Sequence, residues 1–290
     1  MTLPEPDALR PIVEQIAREA GALLMSHHTP LPRAAPRMKG RRDPVTAADL
    51  ASERHIVARL REHFPDVPIH AEEETREAAG PGADAPVWYV DPLDGTVNFS
   101  QSHPFFAVSI ALYRGSTPVV GVVHAPALGE TYVAAAGHGA QLRTADGTTT
   151  ALAVSSKSAL IEAVLATGFA YRRDELADSN VGRFADMVLR VRGMRRAGSA
   201  ALDLAYTAAG RLDGYWEPHL NCFDVAAGAL LVREAGGLVT DLDGGDGWLH
   251  ERSILAAGPA LHPLMAQALA ACAPTAASPA ARGARREDAP

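Results

Sequence analysis

Asp91 and Asp94 stand three residues apart in Trp88-Tyr89-Val90-Asp91-Pro92-Leu93-Asp94-Gly95-Thr96-Val97-Asn98-Phe99. Two carboxylates so close on a tight turn repel one another. That repulsion is relieved when a hard cation such as Mg²⁺ binds between them, and the carbonyl of Leu93 is a further oxygen donor. Gly95 permits close backbone approach, and the N–H groups of Gly95 and Thr96 suit an anion as those at helix N-termini do. Metal beside phosphate is the chemistry this pattern offers. A plainer reading stays open, because Asp-Gly is a common turn dipeptide and Asp a common helix cap. A nucleophilic aspartate of the aspartyl-phosphate type also follows a strand, but needs its second aspartate two residues on, without an intervening proline.

Other acids are placed to join this pair. Glu72-Glu73-Glu74 follows the short apolar run Pro68 to Ala71. Such a run is ordinarily a solvated surface, yet neighbouring strand ends converge and bring a third carboxylate within reach. Asp224 opens a helix, where it reads first as a complement to the helix dipole. Its apolar neighbour Phe223 would make an unpaired charge there unfavourable, and a metal would compensate it. Glu217 closes a strand. Thr46 and Asp49 have the spacing of a capping box, so Asp49 by itself reads as a helix-terminus residue. Lys39, Arg41 and Arg42 read as a solvated basic loop.

The elements that must position these residues follow from periodicity. A helix capped by Asp7 and ending near His27 is expected, with apolar residues at helical spacing and Pro11 in or just past the first turn. A second runs from Thr46 through Leu50, Ile56, Leu60 and Phe64. Trp88–Val90 is expected as a buried strand stopped by Pro92. From Phe105 to about Arg143 the pattern becomes an antiparallel meander that extends a sheet begun at Ile69. Beyond Ala151, strands at 163–167, 212–216, 238–240 and 253–257 alternate with helices at about 175–190, 199–209, 222–235 and 263–272. His124 and His138 lack the spacing of a zinc pair and read as structural. The expected division is an N-terminal α+β part over 1–148, a C-terminal α/β part over 149–273, and a disordered Ala/Pro/Arg-rich tail over 274–290.

Composition narrows the function. The chain has 290 residues, 47% hydrophobic and 21% charged, which is ordinary for a soluble globular protein. A net charge of −7 argues against a nucleic-acid groove or an anionic membrane as the main partner. Cys222 and Cys272 are the only cysteines, so a disulfide framework and a cysteine zinc site are both out of reach. The N-terminus lacks the pattern of a signal peptide, and no apolar run approaches the roughly 20 residues of a membrane span. A cytoplasmic location is expected.

Taken together, Ala71-Glu72-Glu73, Asp91 to Phe99, Gly198-Ser199-Ala200-Ala201 and Tyr215-Trp216-Glu217 to Gly228 resemble the inositol monophosphatase family of Mg²⁺-dependent, lithium-sensitive phosphatases. The likeness covers roughly 38–257. It implies a layered α-β-α-β-α sandwich of the inositol monophosphatase / fructose-1,6-bisphosphatase type, commonly a homodimer. It implies that Glu72, Asp91 and the Leu93 carbonyl bind one Mg²⁺, that Asp91, Asp94 and Asp224 bind a second, and that Glu73 lies near a third, weaker position. Gly95 and Thr96 would bind phosphate, with Glu72, Asp49 and Thr96 serving the attacking water. Ala200 and Glu217 would touch substrate hydroxyls, and Lys39 would sit on a loop near the metals. Li⁺ would inhibit. The implied substrate is a small phosphorylated polyol, inositol 1-phosphate first and histidinol phosphate second, with fructose 1,6-bisphosphate and nucleotide phosphates used by relatives on the same scaffold. Two departures bear on the substrate: Phe223 stands where the family usually has Trp, and Ala71 where it commonly has Gly.

Overall fold

A computed structural model describes residues 3–28, 37–38, 44–77, 84–250 and 253–272. Lys39 and the expected tail over 274–290 lie outside the described residues. The first half contains α1 (Pro6–His27), β1 (Arg37–Met38), β2 (Pro44–Val45), α2 (Ala47–His63), β3 (Ile69–Ala71), β4 (Pro86–Asp94) and α3 (Thr96–Ser100). Strands β5 (Ala107–Arg114), β6 (Thr117–Ala125), β7 (Glu130–Ala135), β8 (Ala140–Thr144) and β9 (Thr149–Ala151) follow. Then come β10 (Val164–Thr167), α4 (Val181–Met187), β11 (Gly193–Arg195), α5 (Ala200–Ala208) and β12 (Gly214–Pro218). The last elements are α6 (Cys222–Glu234), β13 (Leu238–Thr240), β14 (Ser253–Ala257) and α7 (His262–Ala270).

Two sheets organise these elements. The first runs β3-β4-β5-β6-β7-β8-β9, and only its β3–β4 pair is parallel. The second runs β11-β10-β12-β14-β13, parallel on one side of β12 and antiparallel on the other. Successive side chains of a strand point to opposite faces, so a strand buried on both faces feeds two cores. In β5, Val108, Ile110 and Leu112 join a core with α1 and α2, while Ala107, Ala111 and Tyr113 join another with α5 and α6. In β14, Ile254 and Ala256 face α5 and α6, while Leu255 and Ala257 pack with Leu261, Met265 and Leu269 around α7. The layers therefore read α1/α2, first sheet, α5/α6, second sheet, α4/α7. This is the five-layer α-β-α-β-α sandwich that the resemblance implies.

Four expectations need adjustment. Strand β4 runs through Pro92 to Asp94 instead of stopping there. The ladder partners are Asp91↔Ser109 and then Asp94↔Ala107, so β4 carries one extra residue as a bulge. Proline is tolerated because the bulge needs no ladder N–H from it. Second, the helix expected over about 175–190 is confined to Val181–Met187. Asn180 at its start is held at φ 65°. Its side chain donates to Thr167 Oγ1 (2.8 Å) and the Gly168 carbonyl (2.7 Å) and accepts from Trp216 Nε1 (2.9 Å). These buried bonds decide where the helix begins. Third, β9 pairs with β8, so a boundary at 148/149 divides one sheet. Both halves also contribute to the α5/α6 core. Fourth, α1 begins at Pro6, so Asp7 is not its cap but lies inside its first turn, where it pairs with Arg10; Pro11 falls just past that turn, as expected.

Candidate active site

The bulge in β4 is the centre of the site. Asp91 ends the regular ladder, and its Oδ1 accepts the Leu93 N–H at 3.0 Å. Gly95 then caps α3 at φ 93°, a conformation other residues rarely adopt. A Cβ there would lie 3.0 Å from the Phe105 carbonyl. Thr96 follows, buried, with its hydroxyl 3.1 Å from both Asp49 Oδ1 and the Leu93 carbonyl. Helix α3 has only five residues. Any anion affinity here therefore rests on individual N–H groups more than on a summed dipole.

Asp49 is wholly buried at the start of α2. The expected capping box is present, with Asp49 Oδ2 accepting from the Thr46 N–H (2.8 Å) and hydroxyl. Its other oxygen is the one that meets Thr96. Asp49 thus stands behind Thr96 and reaches the cavity through that hydroxyl. Burial raises its pKa, and the Thr46 and Thr96 hydrogen bonds oppose the rise.

Glu72, Asp91, Leu93, Asp94, Gly95, Thr96, Ala200, Glu217 and Asp224 share the wall of one cavity of about 590 Å³. Segments separated by more than 100 residues are brought together there. Glu73 follows Glu72 but does not line the cavity. Asp224 arrives at the N-terminus of α6, its Oδ2 accepting the Asn221 N–H at 2.6 Å. Asp94 Oδ2 accepts from Ser199 Oγ (2.6 Å) and the Ala201 N–H (2.7 Å), which ties the β4 bulge to the start of α5. Asn98 reinforces the tie by donating to the carbonyls of Phe105 (2.7 Å) and Ala197 (2.9 Å). Ser199 was legible as the α5 cap, but nothing local in the sequence marks its bond to Asp94.

The electrostatics fit a cation. Asp91 is raised well above the usual carboxylate range by burial, then by Glu72, Asp94 and Asp224. Asp224 is raised in the same way, by burial and then Glu72, against the hydrogen bond from Asn221. Asp94 is pushed up to about 6 by burial, with Ser199 and Ala201 pulling the other way. Four acids that disfavour one another's ionised form present hard oxygen donors suited to Mg²⁺. Among the described residues, no three His, Cys, Asp or Glu side chains already surround one point at ligand spacing. The carboxylates influence one another at the range of Coulomb repulsion.

The far wall differs in character. Glu217 is 9% exposed and pushed up to about 7 by burial, against a hydrogen bond from the Tyr215 hydroxyl and the charge of Arg196. Gly168 lies against its carboxylate, and a Cβ at that position would collide with Glu217. Asp203, which the sequence reading missed, is 2% exposed in the same wall, and its Oδ1 has no hydrogen-bond partner. Burial and then Glu217 and Asp94 raise its pKa well above the usual range. His219 and Asn221 line the cavity, as do Arg172 and Arg196.

Comparison with known proteins identifies the family. The family model described as the inositol monophosphatase family matches residues 5–273. The inositol-1-monophosphatase of Mesorhizobium japonicum is 40% identical over 254 residues, covering 86% of this chain and 91% of that protein. The Nus factor SuhB of Pseudomonas aeruginosa is 43% identical over 249 residues, covering 84% and 89% respectively. The solved inositol monophosphatase from Anabaena superposes with a TM-score of 0.81 at 37% identity, covering 92% of this chain and 97% of that one. The layered fold, the β4 bulge with its acids and the match along nearly the whole sequence lead to one conclusion: this chain belongs to the inositol monophosphatase family.

Proposed function

We propose that the protein is a Mg²⁺-dependent phosphomonoesterase of small polyol or sugar phosphates, with inositol 1-phosphate the first candidate substrate and histidinol phosphate the second. The observation that carries the reading is the convergence of Glu72, Asp91, Asp94 and Asp224 on one cavity wall beside Gly95 and Thr96. Glu72, Asp91 and the Leu93 carbonyl would hold one Mg²⁺, and Asp91, Asp94 and Asp224 a second, with Glu73 near a third position. Bound there, such ions supply Lewis acidity and lower the pKa of water.

The chain's own residues do the rest. The N–H groups of Gly95 and Thr96 hold phosphate oxygens. The single proton of the Thr96 hydroxyl is directed at Asp49 or the Leu93 carbonyl, which leaves an oxygen lone pair to accept a hydrogen bond from water. Asp49, shielded from solvent, fixes that orientation and draws the proton away from the cavity. Ala200 and Glu217 face the substrate side, where a carboxyl with pKa about 7 exchanges hydrogen bonds with sugar hydroxyls in either protonation state.

Inhibition by Li⁺, a homodimer and a cytoplasmic location belong to the same proposal. No helix among the described residues is long and apolar enough to cross a membrane. The relative named as a Nus factor motivates a rival role without catalysis, and the complete carboxylate set favours the enzyme. Phosphate release from inositol 1-phosphate, histidinol phosphate, fructose 1,6-bisphosphate and 3′-phosphoadenosine 5′-phosphate, with and without Mg²⁺ and Li⁺, is the test. Mg²⁺-dependent release from a polyol phosphate is expected. Its absence with every substrate would sink the proposal and favour the non-catalytic role.

A further inference from the structure

Helix α2 has a polar face that the chemistry above does not exhaust. Asp49, Ser52 and Glu53 lie at positions i, i+3 and i+4, on one side of the helix. They are 0%, 0% and 1% exposed. Three polar side chains buried on one face are unfavourable unless each is hydrogen-bonded, and each addresses a different segment of the site. Asp49 meets the Thr96 hydroxyl at 3.1 Å. Ser52 Oγ donates to the Pro92 carbonyl, inside the β4 bulge, at 2.9 Å. Glu53 takes the backbone N–H groups that follow Glu72: Oε2 accepts from Glu73 (2.8 Å), and Oε1 from Glu74 (2.9 Å) and Thr75 (2.8 Å).

Three successive amides converging on one carboxylate curl the acidic turn around Glu53. Glu72 itself is held on both sides, its N–H donating to the Val90 carbonyl at 3.1 Å and its own carbonyl accepting from Arg76 at 2.7 Å. A glutamine at position 53 could not replace the glutamate. Its one carbonyl oxygen can serve Glu74 and Thr75, but its amide NH₂ would then face the Glu73 N–H, donor against donor.

We propose that this face of α2 is the gauge that sets the spacing between Glu72 and the Asp91–Asp94 bulge, with Glu53 its chief positioning residue and Ser52 the second. The inference rests on the reading of the site as a Mg²⁺ centre. Groups that orient metal ligands typically change metal affinity by about 10–100-fold when mutated.

The experiment is calorimetric titration of the metal-free protein with Mg²⁺ alone, paired with the Mg²⁺ dependence of phosphate release. Glu53→Gln is expected to weaken Mg²⁺ binding by about 10–100-fold, with the activation constant shifting in parallel and kcat largely recovered at saturating Mg²⁺. Arg54→Ala serves as the control. It breaks the exposed Arg54–Glu74 pair (3.1 Å) on the same turn and is expected to leave the affinity unchanged. Where Glu53→Gln lacks a native near-ultraviolet circular dichroism spectrum, Ser52→Ala decides the question, with a few-fold loss of affinity expected. Wild-type affinity in the folded Glu53→Gln variant, or in Ser52→Ala where that variant decides, overturns the inference. So does an equal loss in Arg54→Ala. A wild-type protein that binds no Mg²⁺ is a separate result, which removes the metal reading itself.

Discussion

Replacing Asp94 by Asn should stabilise the metal-free protein while abolishing its turnover. In the folded chain burial lifts the Asp94 carboxyl from an ordinary 3.8 to about 6. Folding therefore favours the protonated form. The stability tied to this proton is full below about pH 4 and is lost as pH rises through about 6. A rise of that size corresponds to about 3 kcal/mol. Above about pH 7 that is the penalty for ionising the group in the folded state without a cation. Asn keeps an oxygen to accept from Ser199 and Ala201 and carries no charge. In EDTA-treated protein at about pH 8, Asp94→Asn should melt about 6 °C above wild type, at roughly 2 °C per kcal/mol. The difference should vanish near pH 4, where wild type holds its proton. Adding Mg²⁺ at about a thousand times Kd should reverse the order, since binding then stabilises wild type by about 4.1 kcal/mol, more than the penalty, and the variant has lost a ligand. The assay is thermal unfolding by circular dichroism across pH, with and without Mg²⁺. A metal-free variant no more stable than wild type at pH 8, or a gain independent of pH, would show that the Asp94 charge is not the source of the penalty.

Thr96→Val keeps the shape of the side chain and removes the hydroxyl that links Asp49 to the cavity; kcat should fall by about 10²–10⁴-fold with KM little changed, as measured by steady-state phosphate release. Gly168→Ala should displace the Glu217 carboxylate from the Tyr215 hydroxyl. KM should rise by about tenfold or more, the worth of a charged hydrogen bond of about 1.5–3 kcal/mol, and an unchanged KM would contradict a substrate role for Glu217. His124 is 7% exposed, hydrogen-bonded to Thr131, and lowered to about 4 by burial and the charge of Arg18. Its depressed pKa favours the neutral form in the fold, so this stability is present above about pH 6.5 and is lost as pH falls toward 4. Between about pH 7 and pH 5 the loss is about 2 kcal/mol. Denaturant unfolding of His124→Gln should show a shallower acid-side slope than wild type, and equal slopes would exclude this group as the cause.

Residue order alone settled the parts of this protein that depend on neighbours along the chain. The Thr46–Asp49 capping box, the Ser199 cap of α5, the meander from Phe105 onward and the acid spacing in Asp91 to Thr96 are local relations, set by residue type and interval. Folding settled what lies between distant segments. Asn180 gives up a longer α4 because its amide is drawn to Thr167, Gly168 and Trp216, bonds no periodicity can announce. The strands Thr149–Ala151 and Gly193–Arg195 are only three residues long, too short for alternation to announce them, and each is paired with a neighbouring strand. Ser52, Glu53 and Asp203 look in sequence like ordinary polar helix residues, and only burial against the β4 bulge, the acidic turn and the cavity gives them significance. The cause is one of range: caps and turns form over a few residues, whereas the desolvation and repulsion that make a group of acids a site exist only once the fold has brought them together.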